Sequence, residues 1–165
     1  MADEKNDLKV VYTGIFLPRE EVEKIPYLRE TRFGGAALRN EIQNMHITLA
    51  FRPKKVDLSM VEYPVLFEVK GYANDGNNEG ILVGNFSGAQ NVVKVLNRLK
   101  KPHITLSVSS TGKPVDTAKL NFHQVWAPQP IVLRGRFGMY FSDGKVRYYL
   151  PKGAGFFETK KKGDK

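Results

Sequence analysis

His46-Ile47-Thr48-Leu49 recurs, residue for residue, as His103-Ile104-Thr105-Leu106. The chain has three histidines, and two of them head these copies. Both copies lie in apolar stretches rich in β-branched residues, 45–51 and 103–108, that read as strands. Successive side chains in a strand point to opposite faces. His46 and Thr48 therefore share one face while Ile47 and Leu49 share the other, and the second copy repeats the arrangement. A duplicated supersecondary unit is a natural source of such an echo. If an approximate twofold relates the two halves, both His–Thr couples converge on one groove while the apolar pairs pack beneath.

Two imidazoles and two hydroxyls facing one another suit phosphodiester chemistry. A neutral histidine takes a proton from water, and a protonated one gives a proton to the departing oxygen. The hydroxyls of Thr48 and Thr105 donate hydrogen bonds to the non-bridging oxygens, where negative charge must be held. No carboxylate cluster accompanies the motifs, and two histidines alone make a poor zinc site, so neither a metal nor another cofactor is expected. One histidine in a strand is ordinarily a half-buried structural residue; the identical pair, each with threonine two residues on, is what points to a shared task. His123 has no such companion and reads as structural or exposed.

Outward from the motifs, residues 8–17 form a buried strand pattern, and Pro18 opens a short helix to Ile25. Residues 29–36 read as a loop around Gly34-Gly35, 36–42 as a short helix, and 53–60 as a connector. Strands over 63–72 and 80–86 flank Asn74-Asp75-Gly76-Asn77-Asn78, strong hairpin punctuation. Ser87 is placed to cap a helix over 89–99, whose Ala89, Val92, Val93, Leu96 and Leu99 fall on one face. A helix or turn is expected over 116–122. Strands over 131–141 and 145–150 pair around Ser142-Asp143-Gly144, and the tail after Gly155 frays. Hairpins outnumber helical crossovers, which implies an α+β fold built on antiparallel sheets. No glycine-rich phosphate loop is present, which argues against a nucleoside-triphosphatase.

Composition bounds the class. The 165 residues are 41% hydrophobic and 26% charged, suited to one globular domain with its own core. There is no cysteine, so disulfides, thiolate metal sites and cysteine nucleophiles are excluded. The net charge is +9. Residues 152–165, with five lysines against Glu158 and Asp164, carry +3 of it and leave +6 on the body. Such a surface attracts polyanions, RNA or a nucleotide first. The polar N-terminus lacks a signal pattern, and no apolar run approaches the roughly 20 residues needed to span a bilayer. The expected organisation is a flexible segment 1–7, a domain 8–155 and a basic tail 156–165, in the cytoplasm.

These residues resemble the 2H phosphoesterase superfamily, which is named for two H-x-[ST]-x-hydrophobic motifs. The resemblance narrows to the catalytic domains of myelin-type 2′,3′-cyclic nucleotide 3′-phosphodiesterases and the cyclic phosphodiesterase domain of fungal tRNA ligases. Tyr12-Thr13-Gly14 and the apolar run to Leu17 resemble the family's first strand. Phe51 matches an aromatic that follows the first motif, Lys101 stands at a basic position before the second, and Gly135-Arg136-Phe137 through Leu150 resembles the closing hairpin. Neither the kinase-like N-terminal domain nor the prenylation box of the myelin enzymes is expected here, and the segment between the motifs is shorter. The resemblance implies a bilobal fold with two antiparallel sheets facing across a cleft and helices outside. It implies hydrolysis of a 2′,3′-cyclic phosphate, on a nucleotide or an RNA end, to a 2′-phosphate. His103 would activate water and His46 protonate the departing oxygen, roles that pseudo-symmetric halves could exchange. Tyr12, Phe51 and Lys101 would bind substrate. Cleavage of 2′-5′ oligoadenylates or cyclic oligonucleotides, and RNA-end binding without turnover, are the alternatives.

Overall fold

The structure is a computed structural model that describes residues 7–125 and 129–158. Ten strands occur among these residues: β1 (Lys9–Phe16), β2 (Asn40–Glu41), β3 (His46–Phe51), β4 (Val65–Asn74), β5 (Asn78–Ser87), β6 (His103–Val108), β7 (His123–Gln124), β8 (Val132–Phe141), β9 (Val146–Arg147) and β10 (Gly155–Phe156). The helices are short: α1 (Arg19–Val22), α2 (Ile25–Leu28) and α3 (Gln90–Asn97), with a π-turn over Arg29–Phe33 and 3-10 turns over Leu58–Val61 and Pro114–Lys119.

Six strands close on themselves. β1 pairs with β3, β3 with β6, β6 with β5, β5 with β4, β4 with β8, and β8 returns to β1, every pairing antiparallel. One row of cross-strand partners runs through this ring: Phe137, Ile15, Ile47, Ile104, Ile81 and Tyr72. All six are at most 3% exposed. Period-two alternation puts this row inside, where each aliphatic side chain contributes about 1.5–3 kcal/mol of burial. The same alternation turns the neighbouring row outward, including His46, Phe16 and Arg136.

Antiparallel sheets with few helices agree with the expected class. The ten strands are all linked by hydrogen bonding into one sheet. β8 is ten residues long and serves both halves. Its first half pairs with β4 from Val132 to Gly135, its second with β1 from Arg136 to Phe141. The second seam is the contact of β3 with β6.

Four local expectations change. Residues 36–42 are not a helix: Asn40 and Glu41 extend along Val108 and Ser107 of β6, filling the flank that β3 leaves open. Ser87 does not cap a helix, because it remains in β5 opposite Leu66; α3 starts at Gln90 without a side-chain cap and buries Val92 and Leu96. In the last hairpin only Val146 and Arg147 pair with β8. The segment after Gly155 does not fray at once, since Gly155 and Phe156 add to β1 in parallel beside Lys9 and Val10. Phe156 packs there on Val10, Met139 and Phe141. Residues 1–6 and the lysines at 160–162 lie outside the described residues.

One buried polar network braces the fold. The Glu79 carboxylate, fully buried, accepts from Arg29 Nε and Nη2 at 2.8 Å each, from the Tyr72 hydroxyl at 2.7 Å and from Ser107 Oγ at 2.6 Å. Arg29 also donates to Glu41 at 2.6 Å, tying β2 to the π-turn. A buried charge is tolerable only when paired and hydrogen-bonded in this way. Among the described residues no helix is long and apolar enough to cross a membrane.

Candidate active site

β3 and β6 run antiparallel through a single register pair, Ile47 opposite Ile104. Antiparallel geometry then sets His46 opposite Thr105 and Thr48 opposite His103, all four on the outward face. The two histidines are diagonal neighbours, a relation of about 7–8 Å between backbones.

Each ring is held the same way. His46 Nδ1 lies 2.7 Å from the carbonyl of Asn44, and His103 Nδ1 lies 2.8 Å from the carbonyl of Lys101. A carbonyl only accepts, so both rings carry a hydrogen on Nδ1 and present Nε2 outward. The carbonyl two residues before the histidine thus selects the reactive nitrogen in both motifs.

Beyond this the two motifs differ. His46 Nε2 lies 3.0 Å from the Thr48 hydroxyl. Its ring stacks on Tyr12 with centroids 4.6 Å apart and leans on Phe16 at 5.1 Å, and Tyr12 stacks in turn on Tyr140 at 4.9 Å. Burial in this aromatic column pushes the His46 imidazole below its ordinary pKa; the Asn44 carbonyl opposes the shift and nearby His103 adds to it. Burial, with help from Tyr140, raises the Tyr12 phenol well above its ordinary range, so it stays uncharged. Thr105 is engaged differently: its hydroxyl donates to Thr117 Oγ1 at 2.7 Å, with the Pro114 carbonyl 3.3 Å away. The 3-10 turn bearing Thr117 lies close on β5, where a Cβ at Gly80 would meet Thr117 Cγ2 at 2.5 Å.

The expected binding residues are placed as follows. Tyr12 is half-buried as the stacking partner of His46. Phe51 is 68% exposed, opposite Tyr12. Strict alternation would send Phe51 to the face away from His46. A bulge intervenes: Thr13 pairs with Ala50 and Gly14 with Thr48, so Leu49 is the extra residue and Phe51 returns to the outward side. Arg52, at φ 49°, sets its guanidinium 5.5 Å from the Phe51 ring. Lys101 turns its ammonium to the Leu120 carbonyl at 2.9 Å, over the Phe122 ring at 5.1 Å. Its backbone carbonyl, rather than its charge, is what reaches His103. His123 is exposed and edge-on to Tyr72 at 5.9 Å.

Sequence reading passed over Phe16, Tyr140 and Thr117, which shape the surroundings of the two rings. Phe16 and Tyr140 sit an even number of residues from Tyr12 and Arg136, a signal readable only once β1 and β8 are known to be neighbours. Two hollows flank the site. One of about 290 Å³ lies between Phe16, Arg134, Arg136 and Tyr148. The other, about 700 Å³, lies beyond the 3-10 turn between Phe33, Tyr72, Lys119 and His123, and neither motif lines it. Among the described residues no three His, Asp or Glu side chains gather as a metal site.

This surface has what acid–base catalysis needs: two Nε2 atoms of fixed tautomer, an adjoining hydroxyl donor, and aromatic faces beside them.

No family model matches the sequence, and no curated protein matches it. Among solved structures, the chain is similar to the crystal structure of Escherichia coli LigT complexed with NADP+, at 20% identity and a TM-score of 0.44, over 85% of this chain and 93% of that one.

Proposed function

We propose that the chain is a 2H-type phosphodiesterase that hydrolyses 2′,3′-cyclic phosphates of nucleotides or RNA ends to 2′-phosphates, without a metal. The observation that carries this reading is the matched tethering of His46 and His103, each with Nδ1 on a carbonyl and both on one face of the β3–β6 pair. One ring in its neutral form takes a proton from the attacking water. The other, protonated, delivers one to the departing 3′ oxygen. Thr48 supports the phosphoryl oxygens as charge builds on them, while Thr105, anchored to Thr117, contributes its oxygen chiefly by holding the 3-10 turn against the site. Tyr12 steadies the His46 ring, and exposed Phe51 offers a face on which a base stacks. The regiochemistry, and kinship with the myelin-type and tRNA-ligase enzymes, come from the motif resemblance.

That resemblance gives water activation to His103 and proton donation to His46. The lowered pKa of His46 favours its neutral form and so supports the exchanged assignment as a second reading. A cyclic substrate with sulfur in place of the 3′ oxygen separates them, because a thiolate leaves without a proton. Alanine at the acid position regains turnover on this substrate; alanine at the base position does not. Incubation with a cyclic-phosphate dinucleotide, followed by identification of the oxygen that keeps phosphate, tests the reaction itself. A 3′-phosphate product, or no product with tight binding of the 2′-phosphate, would overturn it.

A further inference from the structure

The hollow between Phe16, Arg134, Arg136 and Tyr148 is separated from His46 by the Phe16 ring and takes no part in the acid–base scheme. Its position follows from register. Arg136 and His46 are both direct partners of Phe16, one on each side of β1. Their backbones are therefore two strand spacings apart, about 10 Å. Both side chains rise on the same outward face, with the Phe16 ring between them.

Arg136 is held ready. Its Nε donates to the Val61 carbonyl at 2.7 Å, and its guanidinium lies 5.1 Å from the centroid of the Tyr148 ring. Tyr148 is itself fixed, packed so closely on β8 that a Cβ at Gly138 would come within 2.9 Å of the ring. With Nε occupied and the plane stacked, the terminal N–H groups are the ones left for a ligand, and among the described residues Arg136 has no carboxylate partner. Arg134, two residues earlier on the same face, forms the other wall and meets Glu20 at 3.4 Å. A pre-oriented guanidinium fork recognises the oxygens of a phosphate or phosphodiester. The body's net positive charge favours a polyanion here as well.

Resting on the phosphodiesterase reading, we infer that this hollow binds the phosphodiester on the 5′ side of the reacting nucleotide, and that the substrate class is the 3′ end of a polynucleotide rather than a free mononucleotide. With the cyclic phosphate between the two imidazoles, the chain continues past Phe16 and the next phosphate reaches Arg136.

The test compares a nucleoside 2′,3′-cyclic monophosphate, lacking a 5′-phosphate, with a dinucleotide ending in the same cyclic phosphate. The expected kcat/KM is about tenfold or more higher for the dinucleotide, as suits a charge-assisted contact. Arg136→Gln brings this ratio toward one, mainly through KM, and lowers the salt dependence of dinucleotide KM by about one unit of log–log slope. Arg136→Lys, which keeps a charge on a similar stem, retains part of the ratio. If Arg136→Gln does not fold, Arg134→Gln reads the same ratio from the other wall. Equal kcat/KM for both substrates in the wild type, or an undiminished ratio in the glutamine variant, overturns the inference alone. Turnover of neither substrate overturns the hydrolase reading and the inference together.

Discussion

Ile47 and Ile104 meet directly across β3 and β6, 1% and 0% exposed, and theirs is the one register pair joining these strands. An antiparallel pair has a local twofold axis through its centre. Here that axis carries His46 onto His103 and Thr48 onto Thr105, so the duplicated tetrapeptide is the sequence image of a symmetric contact. The inward isoleucines set the spacing of the outward histidines.

Truncating this contact should loosen both motifs together. Ile104→Ala is expected to cost about 2–5 kcal/mol of stability, the range for buried aliphatic-to-alanine changes. Urea denaturation measures it; a loss under about 1 kcal/mol would mean the seam relaxes freely and does not set the geometry.

His46→Ala and His103→Ala should each lower kcat on a cyclic-phosphate substrate by about 10²–10⁴-fold with the far-UV circular dichroism unchanged. Near-normal turnover in either variant removes that ring from the mechanism. A strong chelator should leave the wild-type rate unaltered, and a loss restored by added metal would point to other chemistry.

Gly14 on β1 lies against the first motif. A Cβ there would meet the Ile47 carbonyl at 2.6 Å and His46 Cδ2 at 3.4 Å. The carbonyl belongs to a strand backbone and cannot step aside, so Gly14→Ala should destabilise by about 1–3 kcal/mol through overpacking and shift the His46 ring. Thermal unfolding and kcat should fall together. Unchanged kcat beside a lowered Tm would show that His46 tolerates movement of β1.

The pH dependence of stability has a definite sign. His46 has a folded-state pKa below its ordinary value of 6.5. Above pH 6.5 the ring is neutral in both states, and its full contribution to stability is present. Below it, the unfolded chain binds the proton first, so stability falls as pH drops through the folded-state value. Urea midpoints from pH 8 down to pH 5 for wild type and His46→Gln check this. The wild type should lose more than the variant over the acidic part, and parallel curves would refute the shift.

The placement of the candidate site was legible because it is written locally. Two identical His-x-Thr steps in strand-forming runs place imidazole and hydroxyl on one face whatever the rest of the chain does, and period-two alternation already sends Ile47 and Ile104 inward. The antiparallel class and the long β4–β5 hairpin were legible for the same reason, since turn residues and β-branched runs act over a few positions. What neighbours those runs acquire is a different matter. Thr105 is drawn to Thr117, and Lys101 to the Leu120 carbonyl, by contacts that no spacing between these residues announces.

Strand order, the joining of both halves through β8, the bulge at Leu49 that returns Phe51 to the outward side, and the aromatic column that lowers His46 were settled only by tertiary structure. The sequence alone determined which residues are candidates for the chemistry and which face of each strand they occupy. The fold decided which faces meet, because pairing and burial depend on partners tens of residues away, beyond the reach of any local preference.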